Sequence, residues 1–157
     1  MVKSNSASRL FSLNTKVILT QTDTTVGLLS QDSNRLAHIK SRPNNKPFIK
    51  VYNSLESLKK DGKRVPKKQK KLVRLAKQTT FIVKNEAFRV ASYPLNSNIL
   101  RQLTWTFSTS ANESGKNFDR EFCQAKADII IEDRNSLEEK TASKLLRINN
   151  KKIKRLR

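Results

Sequence analysis

The chain has 157 residues, a length that fits one domain over residues 1–157 with room for a packed core. No apolar run approaches the roughly 18 residues of a membrane-spanning helix, and residues 1–12 lack the apolar stretch of a secretory signal, so we expect a cytoplasmic protein. Cys123 is the only cysteine, which excludes an internal disulfide and favours a structural role. The net charge of +20 fits nucleic acid, a nucleotide or an anionic membrane surface as partner, and nucleic acid is favoured because the basic residues are not arranged as an amphipathic membrane helix.

The first part of the chain predicts alternating short strands and helices. Runs of β-branched and apolar residues are typical of strands, whereas Pro43 and Pro47 stop any helix between them. In chain order, we expect a strand at residues 16–20, a polar loop at 21–27, a helix at 34–39, a strand at 48–52 and a helix at 54–60 that Ser54 caps.

Residues 59–74, called here the first basic segment, hold nine Lys or Arg residues and one acid, Asp61. Pro66 suits the first turn of a helix that runs to about Lys77. We expect its inward residues to be Leu72, Val73, Leu75 and Ala76. The opposite side would then carry positive charge that no acid offsets, which favours contact with phosphate groups over a merely solvated face. The residues expected to contact RNA are Lys67, Lys68, Lys70 and Lys71.

The second half of the chain continues the alternation and predicts an α/β fold, in which one mixed sheet is flanked by helices. Residues 140–157, the second basic segment, hold eight Lys or Arg residues and no acid. The expected elements are paired strands at 80–84 and 88–91, a helix at 98–103, a strand at 104–108, a helix at 119–127, a buried strand at 128–132, and a hairpin of residues 144–148 and 152–156.

Two short motifs indicate a site for a phosphorylated ligand. The first is Lys40-Ser41-Arg42-Pro43, which supplies fixed positive charge. The second is Ser110-Ala111-Asn112-Glu113-Ser114-Gly115, which supplies a hydroxyl and an amide for hydrogen bonds to phosphate or ribose. We therefore expect Lys40, Arg42, Ser110 and Asn112 to converge on one concave site.

Three motifs in the same order carry a resemblance to a known family. The segment Gln21-Thr22-Asp23-Thr24-Thr25-Val26-Gly27-Leu28 resembles the Pro-Thr-(Asp/Glu)-Thr-Val-Tyr-Gly-Leu motif of the YrdC-like threonylcarbamoyl-AMP synthases, of the Sua/YciO/YrdC superfamily. The Lys40 motif resembles that family's Lys-x-Arg-Pro segment, and residues 108–115 resemble its Ser-x-Asn segment. The resemblance is strongest over residues 16–157 and indicates a short, divergent member.

The resemblance implies a fold and a reaction. The fold would be a YrdC/RibB-like twisted sheet of parallel and antiparallel strands with a concave basic face. The activity would be that of a nucleotidyltransferase, which makes threonylcarbamoyl-adenylate and pyrophosphate from L-threonine, bicarbonate and ATP. Other proteins would then transfer the threonylcarbamoyl group to adenosine 37 of tRNA. The resemblance also implies binding of tRNA or double-stranded RNA.

The same resemblance assigns roles to matching positions. Lys40 and Arg42 would bind phosphates and offset charge at the α-phosphorus, and Ser110 and Asn112 would complete the catalytic set. Mg²⁺ would arrive on the triphosphate, held by ATP and water rather than by protein side chains. The positions that would bind threonine or ATP are Thr22, Lys46, Thr80, Arg89, Ser143 and Arg155.

Departures from the family pattern keep two other functions open. Gln21 replaces the family's Pro, Val26 replaces its Tyr, and residues 76–80 replace a Pro-Gly-Pro-x-Thr turn. One alternative is a non-catalytic relative that binds double-stranded RNA or tRNA. The other is a hydrolase or acyltransferase that acts on a related carbamoyl compound.

Overall fold

A computed structural model describes residues 13–43, 47–91 and 98–157. Within these residues, nine strands form one mixed sheet in the order β7-β1-β2-β6-β3-β5-β4-β8-β9. The pairs β1–β7, β3–β5 and β4–β8 are parallel, and the other neighbours are antiparallel. The strands are β1 (Ile18–Gln21), β2 (Val26–Ser30), β3 (Ile49–Tyr52), β4 (Thr79–Val83), β5 (Glu86–Val90), β6 (Trp105–Ser110), β7 (Ile129–Ile131), β8 (Lys144–Ile148) and β9 (Ile153–Arg155).

Local capping explains where three of the helices begin. The side chains of Asp32, Ser54 and Asp119 each accept a hydrogen bond from a backbone N–H of the first helical turn. The described helices are α1 (Ser33–Ile39), α2 (Leu55–Lys60), α3 (Lys70–Leu75), α4 (Asn98–Gln102) and α5 (Arg120–Lys126), and a 3₁₀ turn (Lys67–Gln69) precedes α3.

Strand register divides the sheet into an apolar face and a mainly polar face. Phe81 pairs with Phe88, so Thr80 and Arg89, one step along each strand, point to the other side. Val51 pairs with both Arg89 and Thr106, which extends that side into β6. We call it the polar face; the residues that it presents at the centre of the sheet include Thr20, Thr80, Arg89, Thr106, Ser108 and Ser110.

The core lies mostly on the opposite, apolar face. One cluster packs α1 and α5 against β1 and β2 around Leu19, Leu28 and Cys123. A second packs α2 and α3 against the other half of the sheet around Tyr52 and Phe81. A third, smaller cluster lies on the polar side of the sheet, where α4 covers Ile18 and Leu29. The helices therefore leave the middle of the polar face to loops.

A single segment joins the two ends of the sheet. The chain leaves β7 at one edge and returns as β8, next to the other edge strand, β9. On the way, Glu138 O accepts a hydrogen bond from Val26 N (3.2 Å), and Lys140 N donates to Thr25 Oγ1 (3.1 Å). Residues 132–143, called here the strap, therefore cross the tip of the β1–β2 hairpin.

Most of the predicted elements are present, with four corrections. The expected polar loop at 21–27 is only a four-residue turn, because β2 begins at Val26. The strand at 128–132 is not buried: β7 is an edge strand, and Ile130 is 45% exposed. The predicted helix from Pro66 to Lys77 is divided into the 3₁₀ turn and α3, which ends at Leu75. Leu75 faces solvent rather than the core, with 59% of its surface exposed.

Candidate functional site

Lys40, at the C-terminus of α1, joins two motifs that are 70 residues apart in the sequence. Its Nζ donates to Ser110 O at 3.1 Å and to Asn112 O at 2.6 Å, and it also bonds to Asn112 Oδ1. The ammonium reaches these acceptors because β6 ends at Ser110, beside the helix that carries Lys40. The two sequence motifs therefore form one cluster at the end of β6.

The charge on Lys40 has no carboxylate to balance it among the described residues. Lys40 is only 3% exposed, and its three acceptors are neutral oxygens. Burial, with a smaller contribution from the nearby Arg42, lowers the pKa of Lys40 to about 8. Lys40 and Arg42 therefore leave uncompensated positive charge at this position, which favours the binding of an anion.

Arg42 and Asn112 complete the cluster in different ways. The Arg42 guanidinium lies 4.9 Å from the centre of the Phe48 ring, a cation–π contact that holds it beside the site. Asn112 Oδ1 accepts from the Ser110 hydroxyl (2.9 Å) as well as from Lys40, and its Nδ2 donates to Lys116 O (2.5 Å). Asn112 therefore orients Lys40 and Ser110, while the exposed Ser110 hydroxyl keeps lone pairs for a ligand.

The β1–β2 turn lies next to this cluster. Gly27 pairs with Ser110 across the β2–β6 ladder. A Cβ at Gly27 would lie 2.9 Å from Thr22 Cγ2, so the turn approaches the strand closely. The Thr22 hydroxyl donates to Thr25 O at 2.6 Å and accepts from Thr24 N at 3.2 Å. A ligand that accepts a hydrogen bond from the Thr22 hydroxyl must therefore replace its bond to Thr25 O.

Arg89 contacts the turn from the other side of the polar face. It is 5% exposed, and its Nη1 donates to Thr24 Oγ1 at 2.9 Å. Since β3 and β6 lie between β5 and β2, this contact spans the centre of the sheet. Arg89 thus belongs to the same face as Thr22 and Ser110.

The remaining predicted ligand-binding positions lie apart from Lys40. Thr80 Oγ1 and Ser143 Oγ are 2.8 Å apart and buried at the β4 end of the polar face. Arg155 is exposed on β9, where its partner Leu146 lies on the apolar face, so within the described residues it is not brought to the cluster. Lys46 lies outside the described residues.

The predicted RNA-contacting lysines lie on the outer side of the helical layer that covers the apolar face. Val73 of α3 is buried in the second core cluster, which fixes the inner side of this helix. No carboxylate partner of Lys67, Lys68, Lys70 or Lys71 occurs in the described part of the chain, and all four are exposed. The two basic segments meet where Gln69 Nε2 donates to Asn149 O at 3.2 Å.

Four residues near the site were missed by the sequence reasoning. Thr24 and Asp23 were within a quoted motif, but their contacts to Arg89 depend on strands that are 65 residues apart. Arg157 Nε donates to Ser143 O at 3.1 Å, and the sequence gives no signal for this contact. Gly27 could have been found, because a glycine within a strand pattern often marks a close approach of backbone.

Two features are absent from the described residues, a cluster of metal ligands and a membrane-spanning helix. No group of three or more His, Cys, Asp or Glu side chains there could hold a metal ion. Nor does that part of the chain contain a helix with the length and hydropathy needed to cross a membrane.

Comparison with known proteins connects this geometry to a family. The family model Sua5_yciO_yrdC, described as telomere recombination, matches residues 13–157. A search of curated proteins gave no match.

Solved structures share the fold. P. abyssi Sua5, as the H234A/Y235A variant, superposes with a TM-score of 0.76 at 19% identity, over 96% of this chain and 55% of that one. The complex of the same protein with L-threonine gives 0.70 at 20% identity, over 90% and 50%. Full-length HypF in its phosphate- and nucleotide-bound form gives 0.71 at 18% identity, over 96% and 28%. E. coli YciO gives 0.68 at 17% identity, over 96% and 86%.

The chain thus spans about half the length of the Sua5 structures. At identities of 17–20%, these superpositions show a shared fold alone, whereas the match of the family model over residues 13–157 shows family membership. The chain belongs to the Sua5/YciO/YrdC family.

Proposed function

We propose that this protein is a threonylcarbamoyl-AMP synthase, which makes the adenylate and pyrophosphate from L-threonine, bicarbonate and ATP. The observation that carries the proposal is the buried ammonium of Lys40, which lies beside Arg42 and has no described carboxylate partner. Family membership supports it, and so does the L-threonine named in one P. abyssi Sua5 structure.

The reaction needs positive charge at the α-phosphate. Threonine and bicarbonate condense to a carbamate with loss of water, and a carbamate oxygen attacks the α-phosphorus of ATP. The bond from the α-phosphorus to the bridging oxygen breaks, and pyrophosphate leaves. Lys40 and Arg42 would offset the charge that develops on the phosphoryl oxygens. Asn112 holds Lys40 and Ser110 in place before the substrate arrives.

The two substrates would occupy neighbouring parts of the polar face. The β1–β2 turn and Arg89 lie on the amino-acid side in this proposal, because the cations of the Lys40 cluster suit the triphosphate. The described residues offer no carboxylate cluster for a resident metal. Mg²⁺ would therefore enter as Mg-ATP, coordinated by phosphate oxygens and water. The labile adenylate would pass to downstream proteins that transfer the threonylcarbamoyl group to tRNA.

Pyrophosphate release from ATP tests the proposal. Release should require both threonine and bicarbonate, and omission of either should reduce it to background. Lys40→Ala should lower the rate by about 10²–10³, the scale for removing one electrostatic partner of a transition state. Lys126→Ala, an exposed lysine on α5, is the matched control and should retain the wild-type rate. Pyrophosphate release that does not depend on threonine, or an unchanged rate in Lys40→Ala, would contradict the proposal.

A second function, the binding of tRNA or double-stranded RNA, is supported by a separate observation. The two basic segments meet at the Gln69–Asn149 contact, and they form a surface of exposed cations with few acids. Because such binding depends on phosphate contacts, it does not require the Lys40 cluster. A protein that binds RNA but never releases pyrophosphate would be the non-catalytic relative.

A further inference from the structure

The β1–β2 turn is anchored by a buried ion pair that the proposed mechanism does not use. Asp23 Oδ1 lies 3.5 Å from Arg89 Nη1, and the two side chains are 5% and 6% exposed. Within the described part of the chain, neither oxygen of Asp23 has a hydrogen-bond partner, and neither does Arg89 Nε. Since a buried charge is unfavourable without an opposite charge beside it, each of these groups depends on the other for its place in the fold.

Arg89 also sets the direction of a chain of hydroxyl groups. A guanidinium can only donate, so Thr24 Oγ1 accepts from Arg89 at 2.9 Å. The Thr24 hydroxyl hydrogen can then point to Thr22 Oγ1, 3.1 Å away. The Thr22 hydroxyl in turn donates to Thr25 O at 2.6 Å. The bonds therefore run in one direction, from Arg89 through Thr24 and Thr22 to the backbone of the turn.

We propose that Asp23 is a positioning residue for the amino-acid side of the site. Its carboxylate holds the Arg89 guanidinium in the orientation that aligns Thr24, and through Thr24 the whole turn. The identity of the substrate rests on the proposed function, whereas the effect on the turn does not. Removal of the negative charge frees Arg89 to rotate, so the turn loosens while the Lys40 cluster, held by separate bonds, keeps its geometry.

Steady-state kinetics of Asp23→Asn test the substrate side, because the variant keeps the size of the side chain and removes its charge. KM for threonine should rise by about tenfold, the effect of weakening one hydrogen bond donated by the charged Arg89, while KM for ATP should stay within about twofold. Thr24→Val should behave in the same way, and Thr24→Ser, which keeps the hydroxyl, should restore the threonine KM. Equal increases in both KM values, or unchanged values, would overturn the proposal.

Amide hydrogen exchange gives a readout that does not depend on activity. In Asp23→Asn, the amides of residues 24–26 should exchange about tenfold faster, whereas Asp61→Asn, which disrupts an ion pair elsewhere, should leave them unchanged. Unchanged exchange in Asp23→Asn would reject the role of Asp23. If the wild type released no pyrophosphate, the proposed function would be wrong. The hydrogen-exchange experiment would still test whether Asp23 positions the turn. If Asp23→Asn failed to fold, exchange in Thr24→Val against Thr24→Ser would test the same chain of bonds.

Discussion

The pKa of Lys40 is set by its surroundings in the site. On the surface, an ammonium stays protonated well above neutral pH, whereas burial beside Arg42 lowers the pKa of Lys40 to about 8. Its three neutral acceptors orient the group without neutralising it. The free protein therefore carries a cation that loses its proton in a mildly alkaline range, and an incoming phosphate would favour the protonated form.

The titration of Lys40 should make the activity depend on pH. Lys40 is protonated below its pKa of about 8 and neutral above it, so kcat/KM for ATP should be level below pH 8 and fall above it. With one essential proton, the decline should approach about tenfold per pH unit. The assay varies ATP at saturating threonine and bicarbonate, because the threonine amine itself titrates in this range. Lys40→Arg should move the decline to higher pH, and a level profile up to pH 10 in the wild type would contradict the role of Lys40.

At the scale of elements, local signals were sufficient for the capped helices, but not for the predicted helix from Pro66 to Lys77 or for all strands. Ser54 and Asp119 cap their helices through bonds within three residues, so the sequence alone could predict them. In contrast, the first two residues of β2, Val26 and Gly27, were assigned to a polar loop, and the rest of this strand, which is buried on both sides, was not predicted. The edge position of β7 depends on its pairing with β1, 111 residues away, and no local pattern encodes that pairing.

Gly27 provides a prediction about the β1–β2 hairpin. In Gly27→Ala, the new methyl group would lie 2.9 Å from Thr22 Cγ2 and 3.3 Å from Thr109 O, and the carbonyl cannot move without disturbing the β6 ladder. We expect a loss of about 1–3 kcal/mol in the free energy of unfolding, measured by urea denaturation.

The double variant Gly27→Ala/Thr22→Ser is the matched control for this crowding. Serine keeps the hydroxyl and lacks Cγ2, so the double variant should recover a large part of the lost stability. If the second substitution recovered nothing, the contact between the turn and the strand would not be the cause. The stability that the second substitution recovers measures how much of the destabilisation comes from the contact between residue 27 and Thr22 Cγ2.

At the scale of the whole molecule, the charge is unevenly distributed. Seven of the thirteen acids lie between residues 119 and 139, beside β7, whereas the second basic segment forms the opposite end of the sheet. Composition alone predicted a polyanionic partner and the two basic segments. It could not predict that the first basic segment would cover the apolar face, because that depends on Val73 and Leu72 packing onto distant strands.

Salt dependence tests the basic surface. Replacement of Lys67, Lys68, Lys70 and Lys71 with Gln should weaken binding of tRNA and of unrelated double-stranded RNA alike. On a plot of log Kd against log salt, the slope should decrease by up to about 3–4, since each of four phosphate contacts contributes about 0.7–0.9. A charge-matched control replaces four lysines outside the basic segments, namely Lys16, Lys84, Lys116 and Lys126. If both quadruple variants lost the same affinity for RNA, only the net charge of the protein would matter. If replacement of the four basic-segment lysines caused no loss of affinity, these lysines would be merely solvated.

The strap has a consequence for how the protein folds. Between Ile131 and Lys144 the chain must span seven strand spacings, about 34 Å at 4.8 Å each. Its thirteen peptide units reach at most about 45 Å when fully extended, so little slack remains. The strap can bond to the β1–β2 hairpin early, since this hairpin lies beside β7, but β8 can pair with β4 only after the strands between them have assembled. Closure of the sheet is therefore a late, long-range event, and we expect folding to be slow for a chain of this size.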